Sequence, residues 1–458
     1  MIGRRAVAGR GGTAAEVARR GLPAAQRPLE RIHRAGTLAG LDPEELAARY
    51  GTPLYVYDLD AVTGRVEALR ACLPDRLDLA YACKANPALG VVAHLASLDL
   101  GADVASEGEL ETALLAGMRR ERIVLTGPGK PDALLRRAVQ AGLRAVTIES
   151  PVEFERLERI TAQEGTRTPI LLRLAIGEVS LAGRGLAGGA EGPGKFGMSW
   201  GDVRRVAHEA TRSRYVELLG LHAFGASNVL DADALAAHVA ATVEHAGLLG
   251  TEAGFRPRLV DVGGGLGIPY ADGERPLDLE RLAERLRELA TGWSADPLLS
   301  ETRVLLEPGR FLVGAAGAYL TRVVDLKTLG GRRVAIVDGG IHHLLRPALI
   351  GREHRLRLIP RDGRAHESPD GPDLPVTVAG PLCTGLDVFA QAAEIGAPEP
   401  GDLLAVLDAG AYGFTESMPY FLSHATPAEV AVRGGEARLL RPRLDPLEVL
   451  ARQRMPRW

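Results

Sequence analysis

The chain has 458 residues, of which 46% are hydrophobic and 25% charged, and its formal net charge is −3. This composition is typical of a folded globular protein, and the length predicts two domains rather than one. The small net charge gives no reason to expect binding to nucleic acid or to a membrane, and no apolar run reaches membrane-spanning length. Only three cysteines occur, so we expect no disulfide framework and a cytoplasmic location.

Residues 1–34 differ from the rest of the chain in composition. They carry eight arginines and two glutamates, and they contain neither a serine nor an apolar core. Transit peptides are usually rich in serine. We therefore interpret this segment as a disordered leader, or as the result of a start codon assigned too far upstream, in preference to a transit peptide.

Strand-like and helical stretches alternate from about residue 53 to residue 315. Strands are predicted at residues 54–57, 78–83, 123–125, 145–148, 170–174, 218–222, 258–262 and 304–306. Amphipathic helices are predicted between them, among others at residues 107–116, 132–141, 151–164 and 279–291. Repeated strand–helix units favour a parallel sheet covered by helices, most economically a (β/α)8 TIM barrel, which we assign to residues 56–315.

The pattern changes after residue 315. Runs rich in β-forming residues follow at residues 313–327, 333–338, 374–379 and 402–408, with few helical intervals. They predict a C-terminal domain, residues 316–446, made mainly of antiparallel β-structure. We expect residues 35–55 to pack with this domain and residues 447–458 to form a tail.

Lys84 lies in the motif YACKANP, residues 81–87, and is one of four lysines among 55 basic residues. Since the chain uses arginine wherever a positive charge suffices, a retained lysine suggests a need for a primary amine, which can act as a nucleophile. A predicted buried strand ends here, which places the amine at a C-terminal strand end. Schiff-base chemistry is the functional interpretation. Taken alone, the position favours a solvated loop lysine over a functional one.

The glycine run DVGGGLG, residues 261–267, directly follows a predicted strand. Backbone amides without side chains can approach a phosphate closely. A dinucleotide-binding fingerprint would need a helix immediately afterwards, whereas the proline and glycine in IPYADG, residues 268–273, disfavour a helix there. A phosphate loop late in a barrel is therefore favoured over a Rossmann motif, and a simple tight turn is the alternative.

Glu307, in the motif LEPGR at residues 306–310, also stands at the end of a predicted strand. A carboxylate there can keep a heteroaromatic nitrogen protonated through a charge-assisted hydrogen bond, or it can form a surface ion pair. Two further motifs, CTGLD at residues 383–387 and GAYG at residues 410–413, lie in loops of the predicted β domain. In isolation neither of them indicates a function.

Taken together, these motifs resemble the fold-type III pyridoxal-phosphate decarboxylases, which include diaminopimelate and ornithine decarboxylases. The resemblance extends from about residue 50 to residue 435. It implies an alanine-racemase-like (β/α)8 barrel with a C-terminal β domain, pyridoxal 5′-phosphate as cofactor, and decarboxylation of a small amino acid. It also implies a homodimer with shared active sites, and no metal.

The resemblance gives each motif a role. Lys84 matches the lysine that forms the Schiff base with the cofactor, and Glu307 matches the glutamate that faces the pyridine nitrogen. The other implied cofactor contacts are Arg173, Phe224, Ser227, Gly263, Gly264, Gly265, Gly309, Arg310 and Tyr412. The implied substrate contacts are Arg310, Arg346 and Thr384. Cys383 matches a cysteine that is supplied across the dimer interface, and it is the candidate proton donor to the α-carbon.

The sequence departs from the family at three positions. Phe224 stands where the family usually places a histidine against the cofactor ring; an aromatic face can still stack there. Thr384 replaces the acidic residue that holds the distal ammonium in the diamino-acid enzymes, and Ile350 replaces a tyrosine of the diaminopimelate decarboxylases. Loss of one partner of a buried charge pair costs about 2–5 kcal/mol. His222, two residues before Phe224, is expected to face the other side of the strand in a structural role.

Two substrates remain open. We favour a specialised decarboxylase that acts on a modified or carrier-linked amino acid; the alternative is a diaminopimelate decarboxylase that forms L-lysine. An amino-acid racemase fits less well, because racemases of the related group favour an arginine where this chain has Glu307. A non-catalytic homologue fits less well too, because the cofactor motifs around Lys84, Glu307 and Tyr412 are retained.

Overall fold

The computed structural model describes residues 37–175, 194–361 and 375–456; the predicted leader lies outside these ranges. The strands are β1 (Leu54–Asp58), β2 (Leu77–Ala82), β3 (Gly101–Val104), β4 (Ile123–Leu125), β5 (Ala145–Ile148), β6 (Thr168–Arg173), β7 (Val216–His222), β8 (Leu259–Asp261), β9 (Arg303–Leu306), β10 (Gly317–Leu329), β11 (Arg332–Val337), β12 (Leu356–Ile359), β13 (Val376–Ala379), β14 (Val388–Ala393), β15 (Leu403–Val406), β16 (Ala428–Arg433) and β17 (Glu436–Arg441). The α-helices are α1 (Pro43–Tyr50), α2 (Leu59–Cys72), α3 (Leu89–Ser97), α4 (Glu107–Leu115), α5 (Asp132–Ala141), α6 (Pro151–Glu164), α7 (Trp200–Arg212), α8 (Ala232–Ala253), α9 (Leu279–Ala295), α10 (Arg310–Val313), α11 (Arg346–Ile350) and α12 (Pro446–Leu450). Short 3-10 helices occur at Cys83–Ala85, Arg120–Arg122, Gly314–Ala316, Phe414–Glu416 and Phe421–Ser423.

Strands β2 to β9 form a closed parallel barrel in chain order, in which β9 pairs back to β2. Every residue of β3, β4 and β5 is buried, as expected of parallel strands that side chains fill from the inside and helices cover from the outside. The carboxyl ends of all eight strands meet at one rim. The resulting architecture is the predicted (β/α)8 barrel.

The barrel helices have sequence-encoded ends. Helix α6 shows the pattern: Ser150 accepts a hydrogen bond from the Glu153 backbone, Pro151 occupies the first turn, and Gly165 ends the helix in the left-handed conformation. Such caps satisfy backbone groups that the helix itself leaves unpaired. Helices α4, α7, α8 and α9 likewise begin at a serine or aspartate that caps the backbone.

Two strands differ from the sequence prediction. β3 is not among the predicted strands, because its sequence GADV contains glycine and aspartate, which are depleted in strands. The sequence pattern places residues 54–57 among the alternating strand–helix units, yet they form β1, which pairs with β10 and β16 outside the barrel. The barrel therefore reaches eight strands by including β3 and not β1.

The remaining nine strands form one mainly antiparallel sheet with the path β14-β13-β11-β10-β1-β16-β17. β15 pairs with β10 and also with β12, whereas β1–β16 and β11–β13 are parallel pairs. Among the contacts between the sheet and the barrel rim are two hydrogen bonds: Asn86 donates to the Gly410 carbonyl at 3.1 Å, and the Tyr412 amide donates to the Ala85 carbonyl at 2.7 Å. These contacts hold the loops of the sheet beside Lys84.

None of the described helices combines the length and the apolar character needed to cross a membrane. The three cysteines are free thiols; Cys72 and Cys83 are buried and Cys383 is exposed.

Candidate active site

Lys84 stands at the barrel rim because β2 ends at Ala82 and a single 3-10 turn, Cys83–Ala85, turns the chain. Its Nζ lies 3.0 Å from Oδ2 of Asp103, at the end of β3; the Lys84 side chain is 46% exposed and that of Asp103 only 1%. The Thr126 hydroxyl donates to the other oxygen of Asp103. The carboxylate of Asp103 raises the pKa of Lys84 above its usual value, so the amine is held as an ammonium ion.

A second cluster lies inside the rim, where β7, β8 and β9 end. His222, Asp261 and Glu307 are all buried, and one side-chain nitrogen or oxygen atom from each lies within 4.8 Å of the other two. Burial, together with the neighbouring carboxylates of Asp103 and Asp261, raises the pKa of Glu307. Burial also raises the pKa of Asp261 to about 6 and lowers the pKa of His222. The carboxyl groups of this cluster therefore bind a proton more readily than exposed carboxyl groups do.

The position of His222 differs from the prediction. We expected it on the opposite side of the strand from Phe224, yet it lies beside Glu307. The expectation was wrong because side chains alternate with a period of two along a strand, so positions 222 and 224 face the same side.

The glycine run passes between Phe224 and Glu307 with no room for side chains. A Cβ atom on Gly263 would lie 2.6 Å from a ring carbon of Phe224, and one on Gly264 would lie 2.2 Å from the carbonyl oxygen of Glu307. Gly263 also has a φ of 65°, which disfavours other residues. The Phe224 ring is half-buried and also lies near Lys84, whose Nζ is 5.9 Å from the ring centroid.

Arg310 is buried beside this loop. It donates hydrogen bonds to the Tyr270 hydroxyl at 2.7 Å and to the Ser227 hydroxyl at 3.1 Å, and its guanidinium lies 4.6 Å from the Tyr412 ring centroid. Arg346 lies 4.8 Å from the same ring. Both arginines keep a buried Nε without a hydrogen-bond partner in the part of the chain that the structure describes, so this part of the rim is suited to an anion.

Two predicted cofactor contacts have other partners in the structure. Arg173 forms an ion pair with Glu149 and lies over the Phe196 ring at 4.6 Å. Gly309 has no space for a side chain, because its Cβ atom would lie 2.9 Å from that of Ala85. Both residues are thus held in place by neighbouring side chains.

The predicted substrate side lies in the loops of the sheet domain. Asp387 anchors the loop between β13 and β14, since it accepts hydrogen bonds from the Ile341 amide at 2.7 Å and the Leu382 amide at 2.8 Å. This anchored loop presents Cys383 to solvent, and Thr384 accepts a hydrogen bond from the Leu386 amide at 3.3 Å. Ile350, at the end of α11, is 40% exposed.

Sequence reasoning missed Asp103, Asp261 and Tyr270. Asp103 and Asp261 each stand at or near the end of a barrel strand, and Asp261 directly precedes the glycine run. Position at a strand end was therefore an available signal for both carboxylates. Tyr270 offered no such signal, because its hydroxyl meets Arg310 only after the chain has folded.

The rim fits a ligand with three chemical features. The glycine run and Arg310 suit a phosphate, Glu307 suits a ring nitrogen, and the Lys84 amine suits a carbonyl carbon. A histidine and two carboxylates can also bind a divalent metal, but the adjacent glycine run and the buried Arg310 guanidinium fit a phosphorylated heteroaromatic aldehyde. Pyridoxal phosphate has all three features.

Comparison with known proteins agrees with this chemistry. The family model described as pyridoxal-dependent decarboxylase, pyridoxal binding domain, matches residues 59–314. The diaminopimelate decarboxylase of Methanothermobacter thermautotrophicus is 35% identical over 427 residues, 92% of this chain and 95% of its own length. The L-glutamyl-[BtrI acyl-carrier protein] decarboxylase of Niallia circulans is 30% identical over 421 residues, 90% of this chain and 97% of its own length.

Solved structures show the same architecture. The diaminopimelate decarboxylase of M. jannaschii, crystallised with L-lysine, has a TM-score of 0.82 at 26% identity and covers 91% of this chain and 95% of its own. The Helicobacter pylori enzyme, also crystallised with L-lysine, has a TM-score of 0.79 at 28% identity and covers 89% of this chain and 98% of its own. The chain therefore belongs to the fold-type III pyridoxal-phosphate-dependent decarboxylases and is an amino-acid decarboxylase with pyridoxal phosphate as its cofactor.

Proposed function

We propose that this decarboxylase acts on an amino acid whose far end is modified or linked to a carrier protein. The observation that carries the proposal is the pair Thr384 and Ile350, which stand where diamino-acid enzymes have a carboxylate and a tyrosine hydroxyl. A substrate with a free distal ammonium would lose one partner of a charge pair here, at a cost of about 2–5 kcal/mol. A substrate without that charge would not.

The barrel residues have separate tasks in this proposal. Bound pyridoxal phosphate supplies the electron sink for the electrons left behind as carbon dioxide departs. The Lys84 amine would hold the cofactor at its aldehyde carbon, and Glu307 would hold a proton at the ring nitrogen. The amides of Gly263, Gly264 and Gly265, with Arg310 and the hydroxyls of Ser227 and Tyr412, hold the phosphate, while Phe224 packs on a ring face.

We further propose that a second copy of the chain completes the site with its Cys383. The support is the exposure of Cys383 on an anchored loop. A mixture of Lys84→Ala and Cys383→Ala proteins tests this directly. Random mixing would place one intact site in half of the dimers and restore about a quarter of wild-type activity, as a two-fold shared interface requires. If the mixture is no more active than its two parts, the shared site is excluded.

Decarboxylation of meso-diaminopimelate is the second candidate, and one contact favours it. Arg346 is a candidate contact for a distal carboxylate, and it is paired with Glu416 at 3.2 Å. The Glu416 carboxylate is thus an acid near Arg346 that a distal ammonium can reach if the ion pair opens.

The experiment that separates the two substrates is incubation of the purified protein and pyridoxal phosphate with meso-diaminopimelate. Lysine is quantified by mass spectrometry, and Lys84→Ala serves as the inactive control. Parallel reactions use amino acids whose distal carboxyl is amidated or loaded on a carrier protein. We expect at least about tenfold faster carbon dioxide release from the masked substrates, and efficient lysine formation would overturn the proposal.

A further inference from the structure

Asp261 connects two groups that face the cofactor in the proposed site. Its Oδ1 accepts a hydrogen bond from the Gly263 amide at 2.9 Å, at the start of the glycine run. Its carboxyl group also lies in the buried cluster with Glu307 and His222. The Glu307 amide in turn donates to the Gly263 carbonyl at 2.8 Å. Asp261 is thus placed to orient the phosphate loop and the ring-nitrogen carboxylate together.

The charges around Asp261 and Glu307 do not balance two ionised carboxylates. Both residues are buried, and within the described ranges neither forms an ion pair with a lysine or an arginine. The nearby ammonium of Lys84 is paired with Asp103 at 3.0 Å. Two adjacent buried carboxylates cannot both ionise at low cost, so together they hold one proton.

The other groups facing the pair do not supply the missing positive charge. His222 is buried, both of its ring nitrogens lack a partner among the described residues, and its burial favours the neutral form. Asp103 adds a further negative charge from β3. The positive charge of Arg144 lowers the pKa of Asp261 only slightly, and Arg144 is itself paired with Asp78.

We propose that Asp261 is a positioning residue that shares one proton with Glu307 in the cofactor-free protein, and that the carboxyl pair gives up this stored proton to water when the cofactor binds with its ring nitrogen already protonated. The O–H bond of the carboxyl pair breaks, and its proton goes to water. The pair gains one negative charge, which the positive charge on the ring balances. This inference rests on the proposed role of Glu307.

Isothermal titration calorimetry tests the proposal on the full-length protein freed of its cofactor. Pyridoxal phosphate is titrated at pH 7 in two buffers of different ionisation enthalpy, which gives the number of protons exchanged with solvent per cofactor bound. The informative variant is Asp261→Asn. Its amide can still accept from Gly263 and donate to Glu307, but it cannot share a proton.

We expect the wild type to release about one proton more per cofactor than Asp261→Asn, because the variant has no shared proton to release. The difference should disappear as the pH rises through the pKa of the pair. His222→Asn is the matched control; it changes the same cluster without removing the shared proton and should leave the count unchanged. Equal proton counts for wild type and Asp261→Asn would overturn the proposal.

A second measurement needs no variant and so covers the case in which Asp261→Asn does not fold. The infrared difference spectrum of the wild type, cofactor-bound minus cofactor-free, should show the loss of a protonated carboxylic acid. An unchanged carboxylic-acid band overturns the inference. By contrast, a protein that binds no pyridoxal phosphate at all would contradict the proposed site itself, so the two failures are distinguishable.

Discussion

Lys84, Asp103 and Glu307 at the barrel rim are tied to strand ends and to one another, with Asp103 and Glu307 buried. In the sheet domain, by contrast, Cys383 is exposed and Ile350 half-exposed on loops and a helix end. In the proposed site the first set requires a fixed geometry, because it would face a constant cofactor. The second set can change without disturbing the barrel, which is the usual division between a rigid scaffold and variable loops. This difference explains how a chain can keep its cofactor chemistry while its substrate changes.

The largest expected effect comes from Lys84→Ala. Removal of the amine should abolish the visible absorbance of the lysine-bound cofactor and lower kcat by about four orders of magnitude, the scale seen when a catalytic nucleophile is removed. Lys84→Arg keeps the charge beside Asp103 but lacks a nucleophilic amine, so it should be equally inactive. Lys327→Ala, at an exposed position, should behave like the wild type. Absorbance and carbon dioxide release check these outcomes.

Thr384→Glu tests the sheet side of the comparison. A carboxylate at this position should recover an ion pair with a distal ammonium, and kcat/KM for meso-diaminopimelate should rise by about thirtyfold, equivalent to about 2 kcal/mol. Thr328→Glu places the same charge at an exposed position of β10 and should change nothing. If Thr384→Glu has no effect on any substrate while cofactor binding is intact, the loop of Cys383 is not the substrate side.

Gly264→Ala tests the barrel side. The new Cβ atom would lie 2.2 Å from the Glu307 carbonyl oxygen, and such overpacking costs about 1–3 kcal/mol. We expect the Kd for pyridoxal phosphate to rise about tenfold and Tm to fall. Gly292→Ala is the matched control, because no atom lies within 4 Å of its added Cβ and alanine favours the helix by about 1 kcal/mol. Unchanged cofactor affinity in Gly264→Ala would contradict the assigned phosphate loop.

Asp103→Asn should give the smallest effect, a shift in pH dependence. Asp103 raises the pKa of Lys84, so its neutralisation lowers that pKa and increases the uncharged fraction of the amine by about tenfold per pKa unit. At pH 7 the variant should therefore attach the cofactor faster than the wild type, and the advantage should shrink as the pH rises. Stopped-flow absorbance checks this; Thr126→Val, which keeps the carboxylate, is the control. Slower attachment at every pH would show that Asp103 acts otherwise.

Several elements could be predicted to the residue. Helices α5 and α6 and strands β4 and β5 have the bounds expected from the sequence, because glycine stops, a proline start and short apolar runs mark them locally. Strand β3 could not be predicted, since its hydrogen bonds to β2 and β4 compensate for a weak strand sequence. Local propensity decides an element only where tertiary pairing does not override it.

The sequence by itself determined the repeated strand–helix order and the positions of Lys84, Glu307 and the glycine run at strand ends. Parallel strands of a barrel bring their carboxyl ends to one rim, so residues far apart in the chain are predicted to meet there. Only the tertiary structure decided which titratable groups lie beside them: Asp103 beside Lys84, and Asp261 and His222 beside Glu307. The reason is that pairing between side chains depends on strand register and burial, which no local stretch of sequence contains.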